Sequence, residues 1–335
     1  MKVVEFDQPG APEVLELRDK PQPAPGEREV VIKVAACGLC GHDSADRMGL
    51  TKTKLPAVLG HEVSGEIVEL GSKVWEFEAG EIVASKQFAT CGRCRACRSG
   101  RELDCPDKRF LYGGYAEYVA LPADALLRVP GNVDVIEAAV VACTIGSCLQ
   151  ALSNVAQVRP GETVVVTGAG GGLGIHGMQA AVALGARTIA LSSSPQKAAL
   201  LRELGADAVV APGEDCAAEL LELTKGVGVD VVIDNVGHPP VFSPCFRALR
   251  KRGRYVLTGQ LYRERISLFP AFVFGKEAVI TGSGSTLMST FMDSMDLVER
   301  GAVKVIIERH ALAEAAAVHA AMDASRVHGR AVIVP

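Results

Sequence analysis

Four cysteines, Cys91, Cys94, Cys97 and Cys105, follow the spacing C-x2-C-x2-C-x7-C in a loop rich in Gly and Arg. Thiolates this close in sequence can converge tetrahedrally on one Zn2+ without a distant partner, which closes the ion to water and substrate. Tight cysteine runs also ligate iron–sulfur clusters, but this spacing lacks the usual ferredoxin pattern. The remaining alternative, four unrelated buried thiols, is unusual in so polar a loop. Arg93, Arg95 and Arg98 would offset the negative charge of a zinc tetrathiolate. A second set of metal-binding side chains is dispersed: Cys40 in Cys37-Gly-Leu-Cys40-Gly-His42-Asp43, the pair His61-Glu62 behind Gly60, and Cys143. On spacing alone His61 reads equally as a core or turn histidine, and Cys143 as a buried hydrophobe. The third chemical feature is the glycine run Thr167-Gly168-Ala169-Gly170-Gly171-Gly172-Leu173-Gly174.

Positioning these groups falls to two kinds of sequence. Up to about residue 130, short apolar runs such as 29–36, 66–70 and 117–121 are separated by Pro and Gly, which predicts a β-rich half. From Thr163 the rhythm becomes strand, glycine turn, helix, strand. Strands are predicted at 163–167, 188–191, 208–210, 229–234, 254–258 and 278–281, with helices at 173–184 and 195–204 between the first three. That alternation argues an α/β fold with a parallel sheet, and six strands is the number used by a doubly wound dinucleotide-binding domain. The glycine run lies between the first of these strands and its helix. There, free N–H groups at a helix N-terminus can hold a pyrophosphate while glycines let backbone and phosphate approach. It is not a literal G-x-G-x-x-G, since in register the positions are Ala169, Gly171 and Gly174; a flexible surface loop is the plain alternative. An alanine-rich stretch, 311–324, reads as a helix before a closing strand at 331–334.

Composition narrows the class. At 335 residues the chain exceeds the size at which a single core stops growing, so two domains are expected. Apolar residues at 48% and charged residues at 22% are ordinary globular usage, which argues against a disordered or collagenous chain. A net charge of −4 with interspersed signs offers no basic stripe for nucleic acid. The charge-free stretches 138–158 and 163–186 are interrupted by polar residues or glycines and do not read as membrane spans. Ten cysteines behind a charged opening segment point to reduced thiols and a cytoplasmic location.

Gly60-His61-Glu62, with Gly65, Gly71 and Val74 at the following spacings, resembles the zinc signature of the zinc-containing alcohol dehydrogenase family in the medium-chain dehydrogenase/reductase superfamily. The cysteine loop matches that family's structural zinc lobe at all four positions, and the resemblance covers essentially the whole chain. It implies a split β-rich, GroES-like catalytic domain, residues 1–145 and 284–335, around a Rossmann domain at 146–283, with zinc and nicotinamide in the cleft between them. It further implies that Cys40, His61 and Cys143 are catalytic zinc ligands with one position left open for an alcohol or carbonyl oxygen. Glu62 falls where the family has a carboxylate behind or beside the zinc, and so counts with the catalytic metal site, and Asp43 where one orients the ligand histidine. The family usually has Ser or Thr two residues after the first ligand, to pass the alcohol proton outward; here His42 stands there, either as a shortened relay or as a polar residue lining the cleft. A more distant relay histidine of some members is Ala45 here.

The end of the second strand decides between dinucleotides. Ser192 occupies the position of the acid that would accept the ribose 2′-OH, followed by Ser193, Ser194 and Lys197. Hydroxyls and an ammonium in place of a carboxylate favour NADP(H), with NAD(H) as the alternative. By the resemblance, Ser147 packs at the nicotinamide, Arg330 reaches the pyrophosphate, Ala169 and the run Gly171 to Gly174 bind the cofactor, and the chain carries two zinc ions. The leading activity is hydride transfer between NADP(H) and an alcohol, aldehyde or ketone (EC 1.1.1.-). The superfamily also contains reductases of activated C=C bonds in enoyl or acryloyl thioesters and quinones, which remain the second reading; an NADPH-binding protein without turnover is the third. The expected partners are a small-molecule substrate and further copies of the chain, as a homodimer or homotetramer.

Overall fold

The computed structural model describes residues 1–260 and 264–335, which divide into two compact units. The first comprises Met1–Cys143, Thr286–Glu299 and Ile307–Pro335; the second comprises Thr144–Ser285 and Arg300–Ile306. The sequence reading left 300–306 with the first domain. Packing decides otherwise: the Lys304 carbonyl accepts from Gln179 at 3.0 Å and the Ile306 N–H donates to His176 at 2.9 Å, both within the second unit.

The first unit is a GroES-like, β-rich body. Its main sheet runs in the order Leu126–Arg128, Ile82–Ser85, Glu62–Leu70, Glu29–Gly38, Arg330–Val334 and Ile307–Ala311, with Tyr118–Pro122 paired to Glu29–Gly38 off that path. Glu29–Gly38 therefore has three partner strands, and its apolar run Val30, Val31, Ile32, Val34, Ala36 and Cys37 is buried. Such a run lacks strict alternation because few of its side chains can face water. Ile32, Val63, Ile67, Val83, Leu121 and Ile333 meet in the core. Ile307–Ala311 was not foreseen. Its residues, Ile-Glu-Arg-His-Ala, are none of them buried, so it lacks the apolar stripe by which a strand is recognised.

The second unit is a Rossmann domain with a six-stranded parallel sheet. Its order is Ala208–Val210, Arg187–Leu191, Thr163–Thr167, Val229–Asp234, Leu249–Leu257 and Val279–Gly282. Successive side chains of a strand point to opposite faces. Accordingly Val164 and Val166 join Ile175, Met178 and Leu201 in one core cluster, while Val165 joins Leu220, Phe242 and Phe246 in the other. All five residues of Thr163–Thr167 are buried, as helices on both faces of a parallel sheet require. The helix predicted at 173–184 is Gly172–Ala183; the one at 195–204 is a single 3-10 turn, Pro195–Lys197, leading into Ala198–Glu203. Among the described residues no helix is long and apolar enough to cross a membrane.

Candidate metal centre and dinucleotide site

Cys40 precedes the short helix Gly41–Arg47, and the Asp43 carboxylate accepts the Cys40 backbone N–H at 2.8 Å. The same carboxylate lies 3.1 Å from His61 Nδ1, accepts the Gly60 N–H at 3.3 Å, and accepts the Tyr115 hydroxyl at 3.3 Å. Burial acts to raise the Asp43 pKa, but His61 outweighs it and holds the carboxyl below its usual range. With Nδ1 tied to Asp43, His61 presents Nε2 to the sulfurs, the arrangement that fixes the tautomer of a ligand histidine.

His61 Nε2 is 4.0 Å from Cys143 Sγ, and Cys143 Sγ is 3.9 Å from Cys40 Sγ. Zinc–ligand bonds in a tetrahedron put two sulfurs about 3.8 Å apart and sulfur and nitrogen about 3.5 Å apart, so the donor set fits zinc with little movement. Cys40, His61, Glu62 and Cys143 each offer a ligand atom within 4.8 Å of the others, and all belong to the first unit. The neighbouring Cys143 sulfur, then Arg330 and His61, hold the Cys40 thiol well below its ordinary pKa against the opposing effect of burial. Cys40 is the first of the pair to ionise.

Glu62 is brought there by strand register. Gly38 pairs with Glu62 on one side and with Val332 on the other, so the strand Arg330–Val334 delivers Arg330 to the Glu62 carboxylate. Arg330 Nε donates to Oε2 at 3.1 Å, Nη2 donates to Oε1, and Nη2 lies 3.5 Å from Cys143 Sγ. A Cβ at position 38 would overlap Glu62 Oε2 and come 2.8 Å from Val140 Cγ1, so only glycine leaves room for this carboxylate. Burial raises the Glu62 pKa, opposed by Arg330. Arg330 thus pairs with Glu62 in the structure.

The pairing of Tyr115 with His319 was not found from sequence. The Tyr115 hydroxyl is 3.1 Å from His319 Nε2, and His319 Nδ1 is 3.4 Å from Ser44 Oγ, so a buried polar chain runs from His61 through Asp43 and Tyr115 to a C-terminal helix, Ala315–Asp323. Tyr115 sits in the Gly113-Gly114-Tyr115 turn, and nothing local in sequence links it to position 319. The Phe110 ring packs beside the site, 4.8 Å from the His61 ring and 4.7 Å from that of His42. His42 is partly exposed, with Nε2 3.6 Å from Asp46.

The four-cysteine lobe is assembled locally. Sγ atoms of Cys94 and Cys97 are 3.5 Å apart, and those of Cys91 and Cys105 are 3.6 Å apart. Backbone N–H groups of Arg93 and Cys94 pull the Cys91 thiol down to about 7, as donors aimed at a thiolate do. Lys86, also missed, is buried and donates to Glu102 at 2.7 Å, one turn before Cys105, which ties the lobe to the sheet. These sulfurs, too, fit one tetrahedral ion.

In the second unit the turn after Thr163–Thr167 enters the helix Gly172–Ala183 at Gly171. A Cβ on Gly174 would overlap the Gly168 carbonyl, so this position admits only glycine if helix and turn are to pack this closely. Lys197 Nζ donates to the Gly170 carbonyl at 2.7 Å, and Ser192 Oγ accepts the Ser194 N–H at 3.2 Å. The structure therefore brings Lys197 and Ser192 to Gly170 of the glycine turn, with Ser194 bonded to Ser192; Ser193 is exposed. Ser147, in the short helix Ser147–Leu149, is buried; its neighbour Cys148 contacts the Leu173 carbonyl at 3.4 Å. Asp234 was missed: it accepts from Thr167 Oγ1 and the Tyr255 hydroxyl, each at 2.7 Å, locking the ends of the central strands.

Residues 26–131 match the model of the alcohol dehydrogenase GroES-like domain, and residues 172–300 that of zinc-binding dehydrogenases. The chain belongs to the zinc-containing alcohol dehydrogenase family of the medium-chain dehydrogenases/reductases. Within that family it is 33% identical to an acryloyl-coenzyme A reductase of Sulfurisphaera tokodaii, over 89% of this chain and 90% of the relative. It is equally 33% identical to an NAD-dependent alcohol dehydrogenase of the same organism, over 100% of this chain and 99% of the relative. The crystal structure of AibC superposes with a TM-score of 0.93 at 38% identity, covering 100% of this chain and 96% of that one. Family membership makes the protein an oxidoreductase of the zinc-binding type.

Proposed function

We propose that the protein is an NADP(H)-linked, zinc-dependent oxidoreductase that moves hydride between the nicotinamide and an alcohol, aldehyde or ketone, with two zinc ions per chain. The observation carrying this reading is the spacing of Cys40, His61 and Cys143, which suits three ligands of a four-coordinate zinc and so leaves one position for a substrate oxygen. Bound zinc would supply a Lewis acid and bound NADPH the hydride. The chain's own residues do the rest: Cys40, Cys143 and His61 hold the metal, Asp43 orients His61, and the Glu62–Arg330 pair adds a charge-compensated carboxylate beside the sulfurs. His42, partly exposed and facing Asp46, delivers the proton to the substrate oxygen. Cys91, Cys94, Cys97 and Cys105 hold the second, structural ion.

Ala169, Gly171, Gly172, Leu173 and Gly174 form the pyrophosphate turn, and Ser192, Ser193, Ser194 and Lys197 receive the 2′-phosphate of NADP(H). No carboxylate stands at 192, and the Lys197 ammonium is held at the turn. Ser147 packs at the nicotinamide. Exposed Phe269, Phe272 and Phe274, on and just before the helix Pro270–Lys276 that precedes the edge strand Val279–Gly282 in sequence, support pairing of the chain into a homodimer or homotetramer, which sedimentation velocity checks. Reduction of an activated C=C bond in an enoyl thioester is the second reading, favoured by the identity to acryloyl-coenzyme A reductase. The test follows NADPH oxidation with aldehydes and enoyl thioesters before and after removal of the more labile zinc. Aldehyde turnover lost with one metal equivalent supports the first reading; enoyl turnover indifferent to that metal replaces it with the second.

A further inference from the structure

A cavity of about 510 Å3 opens in the first unit, lined by Thr51, Lys52, Thr53, Lys54, Phe110 and Tyr112 among others. Its two cations are pre-arranged. Thr51 and Thr53 both donate to the Oδ1 atom of Asp46, which is buried at 1% exposure, while the alternating Lys52 and Lys54 remain exposed. Among the described residues, no carboxylate pairs with either lysine. Asp46 Oδ1 accepts both threonine hydroxyls, while its buried Oδ2, 3.6 Å from His42 Nε2, has no hydrogen-bond partner among the described residues; the carboxylate fixes the segment without pairing with either ammonium group.

The cavity and the metal site share the Phe110 ring. Phe110 lines the cavity and lies 4.8 Å from the ring of His61; Tyr112 also lines it, 5.0 Å from Phe110. The aromatic wall that touches a metal ligand thus also lines the cavity holding the two lysines. A substrate with its reacting carbon at the metal and its body along this wall would meet Lys52 and Lys54 with its far end.

The geometry points to a phosphate-binding subsite, in which Lys52 and Lys54 hold the phosphorylated tail of the substrate. This rests on the proposed oxidoreductase reading only for what happens at the other end. A phosphate-bearing tail can come from an acyl thioester of a phosphorylated carrier or from a phosphorylated aldehyde, and the two share the same recognition chemistry.

The zinc-loaded protein, saturated with NADP+, is titrated calorimetrically with coenzyme A as the phosphate-bearing probe. Binding should be saturable, weaken about tenfold in K52A/K54A as two charge-assisted contacts are lost, and return in K52R/K54R. No saturable binding, or equal affinity in the wild type and K52A/K54A, overturns the subsite. Turnover then identifies the source of the phosphate. Crotonyl-coenzyme A is compared with its N-acetylcysteamine thioester, and glyceraldehyde 3-phosphate with glyceraldehyde. The phosphorylated member of one pair should win in kcat/KM, and that ratio should collapse in K52A/K54A; a ratio unchanged by the double substitution overturns the proposal. Because the titration needs no turnover, metal-independent reduction would remove the zinc mechanism and leave the lysine subsite standing.

Discussion

Replacing His319 by Gln isolates one buried titration beneath the metal site. The imidazole is fully buried, bonded to Tyr115 and Ser44, with Asp43, Arg47 and Asp323 the charges that act on it. Burial pushes its pKa down from 6.5 to about 4, helped by Arg47 and opposed by the two carboxylates. The unfolded chain takes up the proton near 6.5 and the native one only near 4, so the unfolded state binds more protons throughout that window. Stability is therefore intact above 6.5 and falls as the pH drops towards 4. Each pKa unit is about 1.4 kcal/mol, giving a total of about 3 kcal/mol and a loss of about 2 kcal/mol already at pH 5. Gln keeps a donor and an acceptor for Tyr115 and Ser44 but cannot titrate. Urea unfolding of both proteins, followed by circular dichroism at pH 8 and pH 5 in the same excess of zinc, gives a difference of differences in which the shared carboxylates cancel. The wild type should lose about 2 kcal/mol more than His319→Gln. Equal losses in the two proteins would refute the neutral, buried imidazole.

Two further substitutions probe the same unit. Asp43→Asn removes the carboxylate behind His61 and should weaken zinc affinity at the catalytic site by about 10- to 100-fold, measured by competition with a chromophoric chelator; unchanged affinity would show that Asp43 does not orient the ligand. Arg330→Met strands Glu62 as a buried charge and should cost about 3 to 5 kcal/mol in denaturant unfolding, most of it recovered by adding Glu62→Gln. A double variant as unstable as the single one would contradict the pairing.

The four-cysteine lobe was legible because its ligands lie within one loop, where spacing alone constrains geometry. Cys40, His61 and Cys143 were not legible that way: Cys143 is 103 residues from Cys40 and 82 from His61, and only family resemblance joined them. The Rossmann strands were visible as continuous β-branched runs, since a parallel sheet covered on both faces needs apolar residues at every position. Ile307–Ala311 escaped because it carries Glu308, Arg309 and His310 on a strand that buries little. The pairing of Tyr115 with His319 escaped for a different reason. A hydrogen bond spanning 204 residues leaves no periodicity in the chain, and a lone histidine among alanines reads as ordinary helix.

The pairing of Glu62 with Arg330 also sets a schedule. The two are separated by 268 residues, so at about 5 to 20 residues per second a ribosome adds Arg330 roughly 13 to 54 s after Glu62. Cys40 and His61 are in place early, and Cys143 follows within seconds, but the guanidinium that balances the carboxylate beside them emerges only after the entire second unit has been made. Through that interval the nascent pocket holds its acid without its base.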